Sequence, residues 1–396
     1  MKLRLIACAV ALLATGCSLH AGRAPRFVVE SLEPLPPFTT EAVAMGRDAG
    51  NSAFVGSELL WVFGDTFSGD ELVCATAAWS DPDSPTELRE PFDEARVPEQ
   101  FYRFSPAELA FNAAHAEPPA CCSEWRDCPD ENLYCRCPAE TDCSSRIALW
   151  PGDIIRTGPT TAINYYEKVQ VGMAAFEFVH LGTGIARIEA GQTVARRRLD
   201  GSGEARTVFG PDEPNFLRAL RVEEYDGPTI YVYAVTNRRG CYVDILVGRV
   251  PLAEAGTRSA YRFWDGVGWS RQLADAAPVL DGVVGGLGSV GWNEYLGAYV
   301  SGFTDMCTDG VGFRMRTAPR PEGPWSKPRV VDLSDVGASG EAYAGQLHTA
   351  LDDGRHVVLS FYEPEVVGDD VIGRVHLVRA SMVRSRLASR MRRVHR

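Results

Sequence analysis

Two acids raise the question of chemistry. Asp48, in GRDAGNS, and Asp65, in LLWVFGDTF, stand 17 residues apart. Between them lie two apolar runs, Ala53 to Val55 and Leu59 to Phe63, parted by the polar turn Gly56-Ser57-Glu58. That pattern predicts a β-hairpin, which returns the end of its second strand to the start of its first. Two carboxyl groups brought together in this way can cleave a glycosidic bond. One donates a proton to the leaving oxygen and the other acts as base or nucleophile. Crowding raises one pKa and keeps that acid protonated near neutrality. The plainer alternative is that Asp65 only accepts backbone N–H bonds at a strand end, and that Asp48 only pairs with Arg47. Other chemistries lack their motifs. There is no Gly-x-Ser-x-Gly elbow, no His-Glu-x-x-His and no phosphate-binding glycine loop outside a β context. No dense Asp-x-Asp-x-Asp loop argues for calcium, so neither a metal nor a cofactor is expected.

The elements that must position these acids recur along the chain. A strand, a tight polar turn, a more apolar strand and a polar end repeat from Asn51, Leu149, Arg218, Gly288 and His348. The second strands are expected to end near Asp65, Glu167, Asn237, Asp305 and Glu363, at intervals of 102, 70, 68 and 58 residues. Such a period predicts an all-β, five-bladed β-propeller, its long first interval holding a cysteine-rich insertion between blades 1 and 2. In a propeller the innermost strand of each blade starts on the face where the second strand ends. Residues at those points meet around the axis. Arg47, Asp48 and Asp65 come from the first unit. Glu167, Asn237, Asp305, Tyr362 and Glu363 come from later second strands. Asn215, Gln346 and His348 come from strand starts, and Trp150, Tyr165 and Tyr343 are nearby aromatics. Carboxylates edged with amides and rings suit carbohydrate. His348 reads more readily as a hydrogen-bonding strand residue than as a proton shuttle, and His115 and His180 as structural or exposed. Trp264, Trp269 and Trp325 read as packing between blades. One helix is predicted at SPAELAFNAAH, with Ser105 as N-cap, Pro106 at its first position and Glu108 completing a capping box.

The whole chain of 396 residues is 45% hydrophobic and 23% charged, ample for a core. Its net charge of −12 argues against a general nucleic-acid binder. Lys2, Arg4, an apolar run from Leu5 to Ala14 and then Ala14-Thr15-Gly16-Cys17 resemble a bacterial lipoprotein cleavage box, with Cys17 lipidated as the first mature residue. The alternative is an ordinary signal peptide with a chance cysteine. Ser18 after the cysteine resembles an outer-membrane sorting signal, should the host be Gram-negative. The expected plan is a signal peptide over 1–17, a tether over 18–40, the propeller over 41–383 with its insertion at 121–143, and a basic tail over 384–396. The tether and lipid would be the only membrane contact. The cysteines, six of them between Cys121 and Cys143, read as disulfides of an oxidising compartment.

GRDAGNSAFVGSELLWVFGDTF, SPAELAFN followed by IALWPGDII, WNEYLGAYV, GPWSKPRVV and QLHTALDDG together resemble a family of bacterial secreted proteins catalogued as a domain of unknown function. Some of its members are endo-D-arabinanase glycoside hydrolases. The resemblance covers roughly residues 40 to 383. It implies a five-bladed propeller related in shape to arabinanases and sialidases, and a catalytic pair falling on Asp48 and Asp65. The cysteine-rich insertion departs from the family pattern. The expected function is a lipid-anchored, extracytoplasmic glycoside hydrolase acting on an arabinan-like furanoside or another polysaccharide. The alternative is a non-catalytic surface propeller that binds glycan or protein.

Overall fold

The computed structural model describes residues 24–43, 46–68, 71–115, 146–172, 178–284, 287–304, 311–339, 342–367 and 370–385. Cys17, the cysteine-rich segment 121–143 and Asp305 lie outside these residues. Apart from one α-helix, Pro106–Ala114, and short 3-10 turns, the described regular structure is β. Five antiparallel sheets follow in chain order, each named here from its innermost strand outward. Sheet I holds Gly50–Val55, Glu58–Phe63, Thr76–Asp81 and Ser84–Arg89. Sheet II holds Arg146–Arg156, Thr161–Val171, Phe178–Glu189 and Arg196–Arg197, with Thr207–Phe209 beside its third strand. Sheet III runs from Asn215–Glu224 through Gly227–Arg239 and Tyr242–Pro251 to Arg262–Trp264 and Trp269–Ser270, and Leu280–Val284 also pairs with its third strand. Sheet IV holds Ser289–Asn293, Ala298–Thr304, Gly312–Ala318 and Arg329–Asp332. Sheet V holds Tyr343–Leu347, His356–Val367, Asp370–Arg384 and, outermost, Phe27–Pro34. A small sheet of Gly46–Arg47, Thr66–Ser68 and Glu71–Val73 caps sheet I.

The packing closes these sheets into a ring. Neighbouring first strands touch in the order I, II, III, IV, V, and the turn Thr349–Leu351 returns from V to the first strand of I. The strand Glu58–Phe63 shows why. Leu60 and Val62 pack with sheet II residues such as Leu149 and Tyr166. Leu59, Trp61 and Phe63 pack with Val358 and Leu377 of sheet V. Alternate side chains thus serve opposite neighbours, so the run is apolar throughout, with both faces buried. Further clusters fill the gaps between II and III, III and IV, and IV and V. This ring of radially stacked meanders is β-propeller architecture. Sheet V joins the two ends of the chain, with Phe27 opposite Arg384 and Pro34 opposite Val378.

Two expectations need correction. Phe27–Pro34, inside the stretch read as a tether, is an edge strand of sheet V, held by its ladder and by buried Phe27. The first strand of sheet V is Tyr343–Leu347, and the chain from His348 turns in a 3-10 helix before the second strand. A polar His-Thr-Ala-Leu-Asp-Asp run resembled a strand and turn in sequence, but the chain had already crossed the sheet by that point.

The helix forms as its cap signals require. Ser105 and Glu108 close a reciprocal capping box, with Pro106 at the first turn. Glu108 is buried and also meets Arg197 Nη1 at 3.1 Å and Lys168 Nζ at 3.1 Å. Burial pushes the Glu108 carboxyl up, but the hydrogen bonds and charge of Arg197, with the Ser105 N–H and Lys168, bring it down to about 2. Asn112 then reaches sheet II. Its amide donates to the Ile147 carbonyl at 3.2 Å and its oxygen accepts the Ile147 N–H at 2.7 Å. The helix therefore pins the start of the strand that carries Arg146.

Candidate active site

Asp48 and Asp65 meet through the backbone before their side chains are considered. The Asp48 N–H donates to the Asp65 carbonyl at 2.8 Å, and the Gly64 N–H donates to the Asp48 carbonyl at 2.7 Å. Asp48 and Ala49 stand opposite Gly64 and Asp65, between the ladder pairs Arg47–Thr66 and Gly50–Phe63. Gly64 allows this closeness, because a Cβ there would stand 3.1 Å from the Asp48 carbonyl oxygen. On the other flank Ala49 is held at φ 43°, a left-handed conformation that an alanine adopts at a cost. Ala344, beside Tyr343, is likewise left-handed at φ 52°. Strain of this kind gathers where surrounding structure fixes a functional geometry.

The two carboxyls have different surroundings. Asp48 Oδ2 accepts from the Tyr343 hydroxyl at 3.3 Å, and its Oδ1 is buried without a partner among the described residues. Burial, and next the charge of Asp65, push the Asp48 carboxyl up to about 7. Asp65 takes the Trp150 indole N–H at 3.2 Å on Oδ1 and Arg146 Nη2 at 3.4 Å on Oδ2. Burial raises the Asp65 carboxyl too and prevails, although the charge of Arg146 and the two donors oppose it. The Asp65 side chain keeps 20% exposure, so the pair is reached from solvent. Tyr362 stacks obliquely on Tyr343 with ring centres 4.6 Å apart and completes the sheet V wall. Glu167, Trp150's partner across the sheet II ladder, lies 2.8 Å from His180 Nδ1. Thr183, opposite Glu167, donates to Asn215 Oδ1 at 2.8 Å. Asp48, Asp65, Trp150, Tyr343, Tyr362, Glu167 and Asn215 thus follow one arc from sheet V through I and II to III.

Other expected site residues sit elsewhere. Arg47 is buried, bound to both Glu90 oxygens at 2.6 and 2.5 Å and stacked over Phe63, so its guanidinium serves the cap of sheet I. Tyr165 is fully buried between sheets II and III, its hydroxyl 3.0 Å from that of Tyr261. His348 lies between sheets I and V, its ring nitrogens each 2.8 Å from the Ser52 and Ser360 hydroxyls. Burial holds its pKa down to about 3, which leaves it neutral and unfit as a proton shuttle. Its register explains the miss. It lies five residues past Tyr343, about 16 Å along the strand at the usual rise, and so at the opposite end. Gln346 is buried on the same strand, with Oε1 unpartnered among the described residues. Glu363 accepts the Ser339 N–H at 2.8 Å, turned from the side on which Tyr362 meets Tyr343. Asn237 contributes a backbone position in the second strand of sheet III. Arg146, Phe178 and His180 were not anticipated as site residues. Arg146 comes soon after the cysteine-rich segment and stands four positions before Trp150 on one strand, a spacing that could have revealed it.

Among the described residues no group of three or more His, Cys, Asp or Glu is placed to hold a metal ion. The arrangement can position a proton on Asp48, hold negative charge on Asp65, and offer rings and amides to a neutral, hydroxyl-rich ligand.

Comparison with solved structures finds similar chains at low identity. A hydrolase candidate from Bacteroides ovatus is similar with a TM-score of 0.55 and 13% identity, covering 86% of this chain and 87% of that one. A family 117 glycoside hydrolase from Zobellia galactanivorans gives 0.48 and 11%, covering 90% and 91%. A GH43_1 enzyme from Xanthomonas citri complexed with xylotriose gives 0.45 and 10%, covering 86% and 88%. No curated protein matches the sequence. The family described as "Domain of unknown function (DUF4185)" matches residues 39–364, most of the chain, and the protein belongs to that family.

Proposed function

We propose that this protein is a glycoside hydrolase of five blades, one for each of sheets I to V, in which Asp48 is the general acid and Asp65 the base or nucleophile. The observation that carries this reading is the asymmetry of two ladder-bound carboxyls. Asp48, at about 7, retains its proton near neutrality, whereas Asp65 faces a guanidinium and an indole N–H that favour its anion. A non-catalytic binding surface has no need of such a pair. The flanking Trp150, Tyr343 and Tyr362 supply ring faces for a sugar, and the resemblance to D-arabinanases makes a furanoside polymer the first substrate to try. The neighbouring glycoside hydrolase structures share the fold and do not identify the sugar. The proposal extends to placement: a chain acylated at Cys17, extracytoplasmic, held on a bacterial outer membrane by its lipid and engaging carbohydrate rather than nucleic acid.

The test is release of reducing sugar from D-arabinan, L-arabinan, xylan and galactan by wild type, Asp48→Asn and Asp65→Asn. Each variant is expected to lose at least about 100-fold in kcat. Equal activity in all three proteins removes the assigned pair. Binding without cleavage by wild type favours the glycan-binding alternative. Labelling of wild type but not Cys17→Ser by a fatty-acid probe in the host tests the anchor.

A further inference from the structure

The Glu167–His180 dyad is left over once the acid pair has been assigned its work. A carboxylate only accepts, so the 2.8 Å contact puts an imidazole hydrogen on Nδ1, and in the neutral ring this leaves a lone pair on Nε2. Nε2 is covered and has no hydrogen-bond partner among the described residues, while the His180 ring itself keeps 18% exposure at the wall. A buried acceptor left empty is costly, so a donor arriving there is well received. Glu167 stands directly across the ladder from Trp150, whose indole N–H is already committed to Asp65. Phe178, two residues before His180, sets its ring edge-on against Trp150 at 4.9 Å and is exposed. The wall beside the acid pair therefore combines an orphan acceptor with an open apolar ring. A sugar presents the complementary pair of features, a hydroxyl donor and a C–H face.

We propose that His180, oriented by Glu167, binds a hydroxyl of the sugar unit next to the one being cleaved, while Phe178 covers that unit's apolar face. This rests on the glycoside hydrolase reading and adds a second sugar position to it. His180 touches substrate, and Glu167 is a positioning residue acting through it.

The experiment measures KM and kcat separately for the full chain on the first polysaccharide that wild type cleaves, D-arabinan being tried first. His180→Phe keeps a planar ring and removes the acceptor. It is expected to raise KM about ten-fold, one lost hydrogen bond, with kcat within about two-fold. His180→Gln returns an amide near Nε2 and is expected to recover most of that loss. Glu167→Ala should shift KM in the same direction as His180→Phe. An unchanged KM in His180→Phe overturns the inference and leaves the hydrolase reading standing. A lowered melting temperature shared equally by the Phe and Gln variants, without rescue of KM, also overturns it by marking the dyad as structural. Wild type inert on every polysaccharide removes the hydrolase reading and this inference together.

Discussion

Asp48 and Asp65 are brought together by reciprocal backbone hydrogen bonds, and their carboxyls meet different neighbours. The proton on Asp48 has a consequence for rate. As pH rises through about 7 Asp48 ionises, so if it is the general acid proposed above, kcat on the cleaved polysaccharide is expected to fall above that value. A pH-rate profile flat from 6 to about 8.5 rules out Asp48 as the acid. Stability follows the same group. The folded chain holds this proton up to about 7, against an ordinary value of 3.8, so folding binds it more tightly within that window. The stability so gained is present at low pH and is lost as pH rises through the window. Asp48→Asn is therefore expected to raise the melting temperature at pH 8, measured by calorimetry, and to change it little near pH 4. Sequence alone reached these two acids because a hairpin with tight turn chemistry is a local signal. It misplaced His348, because a one-strand error in register moves a side chain to the other end of a sheet while the residue types look the same. It undervalued His180, whose meaning depends on Glu167, a partner 13 residues away on another strand.

At the scale of elements, the helix is a buttress for the site. Asn112 supplies both hydrogen bonds that a neighbouring strand would give to Ile147, and Arg146 follows from that anchorage to Asp65. Asn112→Ala leaves the Ile147 backbone groups unpaired, at a cost of about 1–3 kcal/mol. It should also loosen Arg146, so that kcat falls although the substitution touches no sugar. Unfolding in denaturant and kinetics on the same preparation check both effects. Glu108 belongs to the same buttress. Removing its charge by Glu108→Gln breaks a buried pair with Arg197 and should cost about 3 kcal/mol near neutrality. Because the Glu108 carboxyl is lowered to about 2, its contribution is complete above its ordinary value of 4.5 and fades as pH falls toward 2. The difference between wild type and variant should shrink in that acid range. The capping box that starts this helix was plain in sequence, since Ser105, Pro106 and Glu108 act on one another within a single turn. The reach of Asn112 to Ile147 was not, because the cysteine-rich segment separates them in the chain.

For the whole molecule, the unbroken apolar run Leu59 to Phe63 predicted a buried strand, and the repeated units predicted the ring. The outermost strand of sheet V was hidden in a proline-bearing lead-in. Its charged, half-exposed residues look like a linker until a partner strand is supplied. Deleting residues up to Pro34 should strip the edge from sheet V and uncover the core around Phe27. Loss of the cooperative thermal transition is the expected result, and a truncated chain that melts like wild type would show that closure lies elsewhere. The direction of that strand carries one more implication. Tyr343, at the acid end of sheet V, pairs with Tyr362, whereas Phe27 pairs with Arg384, at the end of the sheet where His356 meets Ser381. The polypeptide therefore enters the disc from its underside. If a lipid at Cys17 holds it to a membrane, the leash attaches beneath and the acids look outward, so that a long polymer drifting past the cell would meet the open mouth of the acid site rather than the bilayer.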